Sequence, residues 1–421
     1  MTTSITFSSA YRILLASEFF MARRPILDRD RHLIAHELLF SHAASAAPPV
    51  DLHSASVIAD VKQHGLVRIL GDGDAYLHVD FQALGDDTLR GIPADRVVLT
   101  LMEAHAADTQ HVERIAALRQ AGFRFALDIT QPSAAMQALL PLMEAVRIDI
   151  RGKGDRELAM LCRPHLAARK MLLAENVETP IDWERCMAAG FHRFQGYHFA
   201  QPRLTPERRV SPSQHAIIEL MALLASDADS AEIEHCIKSD ATLGVHLLRL
   251  VNTPAISAHR IESLRQAVMV LGRNQLQRWL QVMLYANSSA SVFGMLPLLT
   301  LAASRARLLE LVAQKTMPAN RGVADTAFTV GILSLMDALF CVPMEDILRE
   351  LPITEEVRNA LLERRGQQGE LLRLAEYAEW RGHDGRDMLA LMQRLRLSHS
   401  ELYALQLLAF EWSDQVARSL R

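Results

Sequence analysis

Residues 123–179 read FRFALDITQPSAAMQALLPLMEAVRIDIRGKGDRELAMLCRPHLAARKMLLAENVET. Three short apolar runs, 124–129, 146–150 and 170–174, have the length and composition of strands, and 136–145 between the first two has helical character. Asp128, Asp149 and Glu175 fall at or just after the ends of these runs. Strand alternating with helix argues for parallel βαβ units, either a barrel or an open doubly wound sheet. Acids at strand C-termini lie where barrel enzymes place their chemistry. The alternation extends outward through strands at 33–39, 75–81, 96–101 and 192–195 and a helix at 112–121. Glu37 sits inside the first of these strands.

After residue 205 the strand signal ends. Helical patterns cover 214–225, 231–239, 243–251, 261–271 and 275–286, then 326–339, 344–351, 355–364 and 368–380. In the fourth, Leu264, Ala267, Val268 and Leu271 fall at i, i+3, i+4 and i+7, one buried stripe. The join, QPRLTPERRVSPSQ (201–214), carries three prolines and reads as a linker. We therefore expect an α/β domain over 21–203 and an all-α domain over 204–421.

With 421 residues, half of them hydrophobic, the chain can build two cores. A net charge of −4 and 6% aromatics argue against a nucleic-acid groove. Cys162, Cys186, Cys236 and Cys341 are scattered without paired spacing, as expected of reduced thiols in a cytoplasmic protein. The N-terminal stretch lacks a basic start and is interrupted by Glu18, unlike a signal peptide. No segment approaches ~20 uninterrupted apolar residues, so no membrane span is expected. The most apolar part, 292–303, leads into Arg305 and Arg307.

Residues 21–202 resemble the EAL family, the phosphodiesterases of cyclic di-GMP. The carrying segments are MARRPILDRDRHLIAHELLF, AYLHVDF, VVLTLME, ALDIT, RIDI, AENVET and FQGYHFAQP. Glu37 matches the motif glutamate, and Asp128, Asp149, Glu175, Glu178 and Gln195 match acids and the closing Gln-Gly-Tyr of the family. The resemblance implies a barrel in which carboxylates hold magnesium or manganese for phosphodiester hydrolysis. Several positions depart from it. Arg24 stands for a glutamine, Leu38 for alanine, Ser41 for arginine, His78 for an asparagine ligand, Thr100 for a glutamate ligand, Ile129 for an aspartate and Arg147 for a lysine. Glu103 is retained, and with Glu178 reads as structural. Ile129 offers no donor, Thr100 no charge, and His78 suits magnesium less well than an oxygen does.

The helical half resembles the HDOD domain, through IKSDATLGVHLLRLVNTPAI, IESLRQAVMVLGRNQLQRWL and AFTVGILSLMDALF. Ser334 and Leu335 stand where an HD enzyme has its metal-binding His-Asp pair, and His383–Asp384 lies between glycines in a turn-like context, so we expect no metal here. Asn252 reads as a turn or cap residue. Arg260, Arg265, Arg273 and Arg278 read as a solvated face or an anionic partner surface, and Trp279 and Trp380 as core or interface anchors.

These observations imply a trimmed (β/α) barrel of EAL type followed by an all-helical HDOD domain, in a bacterial cytoplasmic signalling protein without catalysis. Glu37, Asp128, Asp149, Glu175 and Gln195 would contact a cyclic dinucleotide, with Gln195–Tyr197 lining its groove. Glu37, His78, Asp128, Asp149 and Glu175 would hold any metal. Magnesium or manganese enters only if hydrolysis is retained; no cofactor is required otherwise. Expected partners are signalling proteins, cyclic di-GMP or a second copy of the chain. The alternatives are a weak phosphodiesterase in which His78 rescues a metal site, and a scaffold that binds no nucleotide.

Overall fold

Eight strands close in chain order into a barrel: β1 (Phe19–Asp28), β2 (Leu33–His42), β3 (Asp74–Val79), β4 (Val97–Met102), β5 (Arg124–Ile129), β6 (Ala145–Asp149), β7 (Met171–Glu175) and β8 (Arg193–Gln195). β1 runs antiparallel to both its neighbours, β2 and β8, and every other pairing is parallel. The computed structural model describes residues 19–42, 69–70, 73–84, 89–102, 109–129, 134–201, 212–226, 228–239, 241–252, 261, 263–286, 296–351, 353–379 and 385–419. Glu103, Arg260, Trp380 and His383–Asp384 lie outside them.

Between strands run α1 (Thr109–Gln120), α2 (Ala134–Leu139), α3 (Asp155–Ala167) and α4 (Pro180–Ala189). α4 starts on a reciprocal cap, in which Thr179 Oγ1 accepts from Asp182 N and the Asp182 carboxylate accepts from Thr179 N. Leu77, Leu99, Leu127, Ile148 and Leu172 face outward to meet Ile115, Leu158 and Trp183 from the helices. The one strand absent from the sequence expectation is β1, FFMARRPILD, whose two arginines and proline hide its alternation.

Two compact units divide the chain: residues up to Gln201 with Arg373–Gln415, and Pro202–Leu372 with Val416–Arg421. The sequence reading carries the helical domain through residue 421, whereas this division sets α15 (Gly385–Leu395) and most of α16 (His399–Ser419) with the barrel. Buried chemistry accounts for it. Arg23 on β1 pairs with Asp414 at 3.0 Å and 3.3 Å, donates to the Ile69 carbonyl and lies over the Phe410 ring. Gln406 donates to the Met21 carbonyl, and Leu407 joins the barrel's outer core.

The second unit holds α5 (Pro212–Ala225), α6 (Ser230–Ser239), α7 (Ala241–Val251), α8 (Leu264–Ala286), α9 (Leu296–Thr316), α10 (Arg321–Leu333), α11 (Met336–Phe340), α12 (Met344–Glu350), α13 (Glu355–Glu363) and the first part of α14 (Gly366–Ala378). α8 breaks at Gly272, the boundary between the two helices expected there. α9 and α10 pack so closely that a Cβ on Gly331 would meet Ala306 Cα at 2.4 Å. Of the expected stripe, Ala267 and Val268 are buried and Leu264 and Leu271 half-buried. Ser334 is buried at the α10–α11 break, accepting from Arg305 Nη1 at 3.0 Å.

Among the described residues, Gly322–Phe340 is long and apolar enough to cross a membrane, with 19 residues and a mean hydropathy of 1.5. It is 72% buried inside the protein and spans the α10–α11 break, as a core segment would.

The Arg23–Asp414 pair yields a test. Asp414→Ala leaves a guanidinium buried without its carboxylate, which should cost about 3 kcal/mol. Urea unfolding of variant and wild type measures it, and a change under about 0.5 kcal/mol would mean that Arg23 does not hold α16.

Candidate functional site

The barrel interior is built in layers. Ile26, Ala35, Tyr76, Val98, Ala126, Ala145 and Leu173, one residue from each of β1 to β7, form a small apolar cluster of their own. Side chains in a strand return to the same face every second residue. Two positions further toward the C-terminal ends of β2 to β7 therefore lie Glu37, His78, Thr100, Asp128, Arg147 and Glu175. On β1, which runs the other way, the equivalent step reaches Arg24, which is paired with Glu37. A polar layer thus sits directly above an apolar plug.

Arg147 is the centre of this layer, with its side chain 1% exposed. Its guanidinium makes close ion pairs with Glu37 and Glu175, stands 3.0 Å from Asp128 Oδ1 and donates to Thr100 Oγ1 at 3.0 Å. Glu37 is engaged at both oxygens. Oε1 also meets His78 Nε2 at 2.8 Å, and Oε2 accepts from Gln195 Nε2 at 2.6 Å. Gln195 Oε1 in turn accepts from Asn176 N at 3.0 Å. His78 Nδ1 lies 3.6 Å from Asp128 Oδ2.

One guanidinium and one imidazole cannot balance three buried carboxylates, so the proton affinities separate. Burial pushes Glu37 up, but Arg147 and then His78 pull it far below its ordinary range. Burial raises Glu175 to about 7, with Asp128 and Glu37 adding to what Arg147 only partly offsets. Asp128 is raised by the same burial. Burial would lower His78, yet the Glu37 hydrogen bond and the Asp128 charge leave it raised.

The structure brings together Glu37, His78, Asp128, Glu175 and Gln195 of the expected set. Asp149 stands beside them, opposite Glu175 in the β6–β7 register and close enough for its charge to help raise Asp128. It lies two residues beyond Arg147, and its carboxylate accepts from Arg151 Nη2 at 2.6 Å and from Arg151 N at 3.0 Å. Glu178 pairs with Arg24 at 2.9 Å, a structural role, and Arg24 also donates to Asn176 Oδ1. Tyr197 does not line a groove. It is fully buried, and its hydroxyl donates to the Glu379 carbonyl at 3.1 Å. Gly196 permits this course, since a Cβ there would lie 2.2 Å from the Val177 carbonyl oxygen.

The weight of Arg147 was underread in the sequence. Its signal was available, because Val146 and Ile148 must face the helices, which turns Arg147 inward. Elsewhere, Asn252 closes a loop, donating to Leu248 O and Ile261 O and accepting from Ile261 N. Arg265, Arg273 and Arg278 are each paired, with Glu234, the Leu224 and Ala228 carbonyls, and Glu310 and Asp325 respectively. Trp279 is buried, and all four cysteines are buried and outside any disulfide.

Glu175 makes the stability depend on pH. The folded protein holds a proton on it up to about 7, which the unfolded chain releases near 4.5. That contribution is complete below the unfolded value and lost as pH rises through about 7. Glu175→Gln, neutral throughout, should therefore gain on wild type by up to about 3 kcal/mol between acidic and mildly alkaline pH. Urea midpoints at both ends measure this, and a pH-independent difference would contradict it.

The HDOD domain family matches residues 211–357. A Vibrio cholerae serotype O1 protein, Cyclic di-GMP phosphodiesterase CdgJ, is 31% identical over 377 residues, 86% of either chain. The Bacillus subtilis protein YuxH is 25% identical over 405 residues, 93% of this chain and 97% of its own. A solved standalone EAL protein of Vibrio cholerae O395, in a c-di-GMP-bound form, aligns with a TM-score of 0.35 at 19% identity over 44% of this chain and 92% of that one. With CdgJ matched over most of both lengths and the HDOD domain following the barrel, the chain belongs to the EAL–HDOD family of two-domain signalling proteins.

Proposed function

We propose that this protein is a non-catalytic, cytoplasmic cyclic di-GMP signalling protein. Its barrel mouth senses the dinucleotide or a protein partner, and its helical half passes the state on. The observation that carries this reading is the Arg147 guanidinium at the focus of Glu37, Asp128 and Glu175. A two-cation centre needs carboxylate oxygens open to hard metal ions. Here Glu37 is engaged at both oxygens, Ile129 has no donor, and a permanently charged guanidinium repels a cation from the remaining acids. The donor set fits a pair of magnesium or manganese ions poorly.

What the mouth offers a phosphodiester is the rim guanidinium of Arg151, exposed beside Asp149, since Arg24 is held by Asn176 and Glu178 and Arg147 by the buried carboxylates. The four reduced, buried thiols support a cytoplasmic setting. The second reading, a weak metal-dependent phosphodiesterase, is favoured by the name of the 31% identical relative.

Calorimetric titration of cyclic di-GMP into the full-length protein, in magnesium or manganese and then in chelator, distinguishes them. We expect no linear dinucleotide product, and any saturable heat to persist in chelator. Manganese-dependent product that disappears in Glu37→Ala would overturn the non-catalytic reading. Arg147→Ser removes the competing cation and should raise manganese affinity about tenfold or more over wild type.

A further inference from the structure

A cleft of about 580 Å³ lies between α14 and α15, lined by Arg373, Tyr377, Asp387, Leu391, Gln393 and Arg394 among others. All belong to the barrel-containing unit. Each helix presents one face to it. Arg373 and Tyr377 are one turn apart on α14, and Asp387, Ala390, Leu391 and Arg394 fall at i, i+3, i+4 and i+7 on α15. Arg373 is half-buried and makes no hydrogen bond or ion pair among the described residues, and its Nε is shut off from solvent. The other described arginines discussed above each have a partner, so an unmatched guanidinium facing a cavity is unusual here. Desolvating part of a guanidinium without a partner is costly, and an anion in the cleft would relieve it.

We propose that this cleft binds a guanine nucleotide monophosphate, at a site separate from the barrel mouth. Arg373 and Arg394 supply the positive charge and planar fork that bind phosphate. Tyr377 supplies a flat face for a base, and Leu391 an apolar floor. The Asp387 carboxylate accepts hydrogen bonds, as the N1–H and amino group of guanine require and the acceptor-rich edge of adenine does not. Along α15, Asp387 and Arg394 are about 10 Å apart, which suits a base at one end and a phosphate at the other. Helices joined through so few residues ordinarily run antiparallel, setting Arg373 across from Arg394 and Tyr377 across from Asp387. The volume is that of a small-ligand site.

The test is calorimetric titration of GMP, AMP and inorganic phosphate into the full-length protein. GMP should bind saturably, AMP about fivefold more weakly, and phosphate more weakly still. Arg373→Gln should lower GMP affinity about tenfold with an unchanged unfolding midpoint. If that variant is unstable, Arg373→Lys, which keeps the charge but loses the fork, should still weaken binding severalfold. Asp387→Asn should erase the preference for GMP over AMP while leaving AMP binding intact. Absence of GMP binding at two temperatures, equal binding of phosphate and GMP, or GMP affinity unchanged in the Arg373 variants would each overturn the proposal. Cyclic di-GMP titrated into Arg373→Gln reports the barrel separately, so the two sites fail or stand independently.

Discussion

Everything at the top of the barrel is organised by the contact of one buried guanidinium with three carboxylates. Remove Arg147 and Glu37, Asp128 and Glu175 would repel one another in a space largely shielded from water, with His78 and the Arg24 charge to balance them. Such a cluster is stable only with a cation at its focus. A hydrated metal ion can come and go with its concentration and leaves positions open for substrate. A side chain on β6 cannot leave, and its donors meet Glu37, Glu175, Asp128 and Thr100. On the proposed non-catalytic reading, Arg147 makes this layer a fixed part of the core and not a place for exchange. The neighbouring departures follow from it. Thr100 need only accept a hydrogen bond from Arg147, and Ile129, buried in the outer core, need hold nothing.

Much of this was legible in the sequence, because period-two alternation fixes which strand residues share a face. Ala35 and Glu37, Tyr76 and His78, Ala126 and Asp128, Ala145 and Arg147, and Leu173 and Glu175 repeat the same apolar-then-polar step on five strands. Once strands are recognised, their convergence follows. Asp149 lies opposite Glu175 in the register, but its carboxylate is taken by Arg151 and not by Arg147. β1 was missed because its arginines look like surface residues, yet Arg23 is buried under α16 and Arg24 is tied to Asn176 and Glu178. Partners more than a hundred residues away decide the burial of β1, and no local pattern reports them.

The helical half was legible in its element count and its Gly272 break, where periodicity stops and restarts. Its last helices were not assigned correctly by adjacency in the chain. α16 reads as one more amphipathic helix, and only Asp414 and Gln406 meeting β1 show which core it completes.

That return has a consequence for how the protein is made. The barrel unit is discontinuous: its first strand must wait for Gln406 and Asp414, 385 and 391 residues further on in the chain. During synthesis the barrel emerges first with this flank of β1 uncovered, and the whole helical unit must be translated before the covering helix arrives. Closing so long a loop slows assembly and leaves Met21 and Leu38 exposed in the interval. The HDOD-containing segment is in this sense an insertion within the barrel unit, held at both ends.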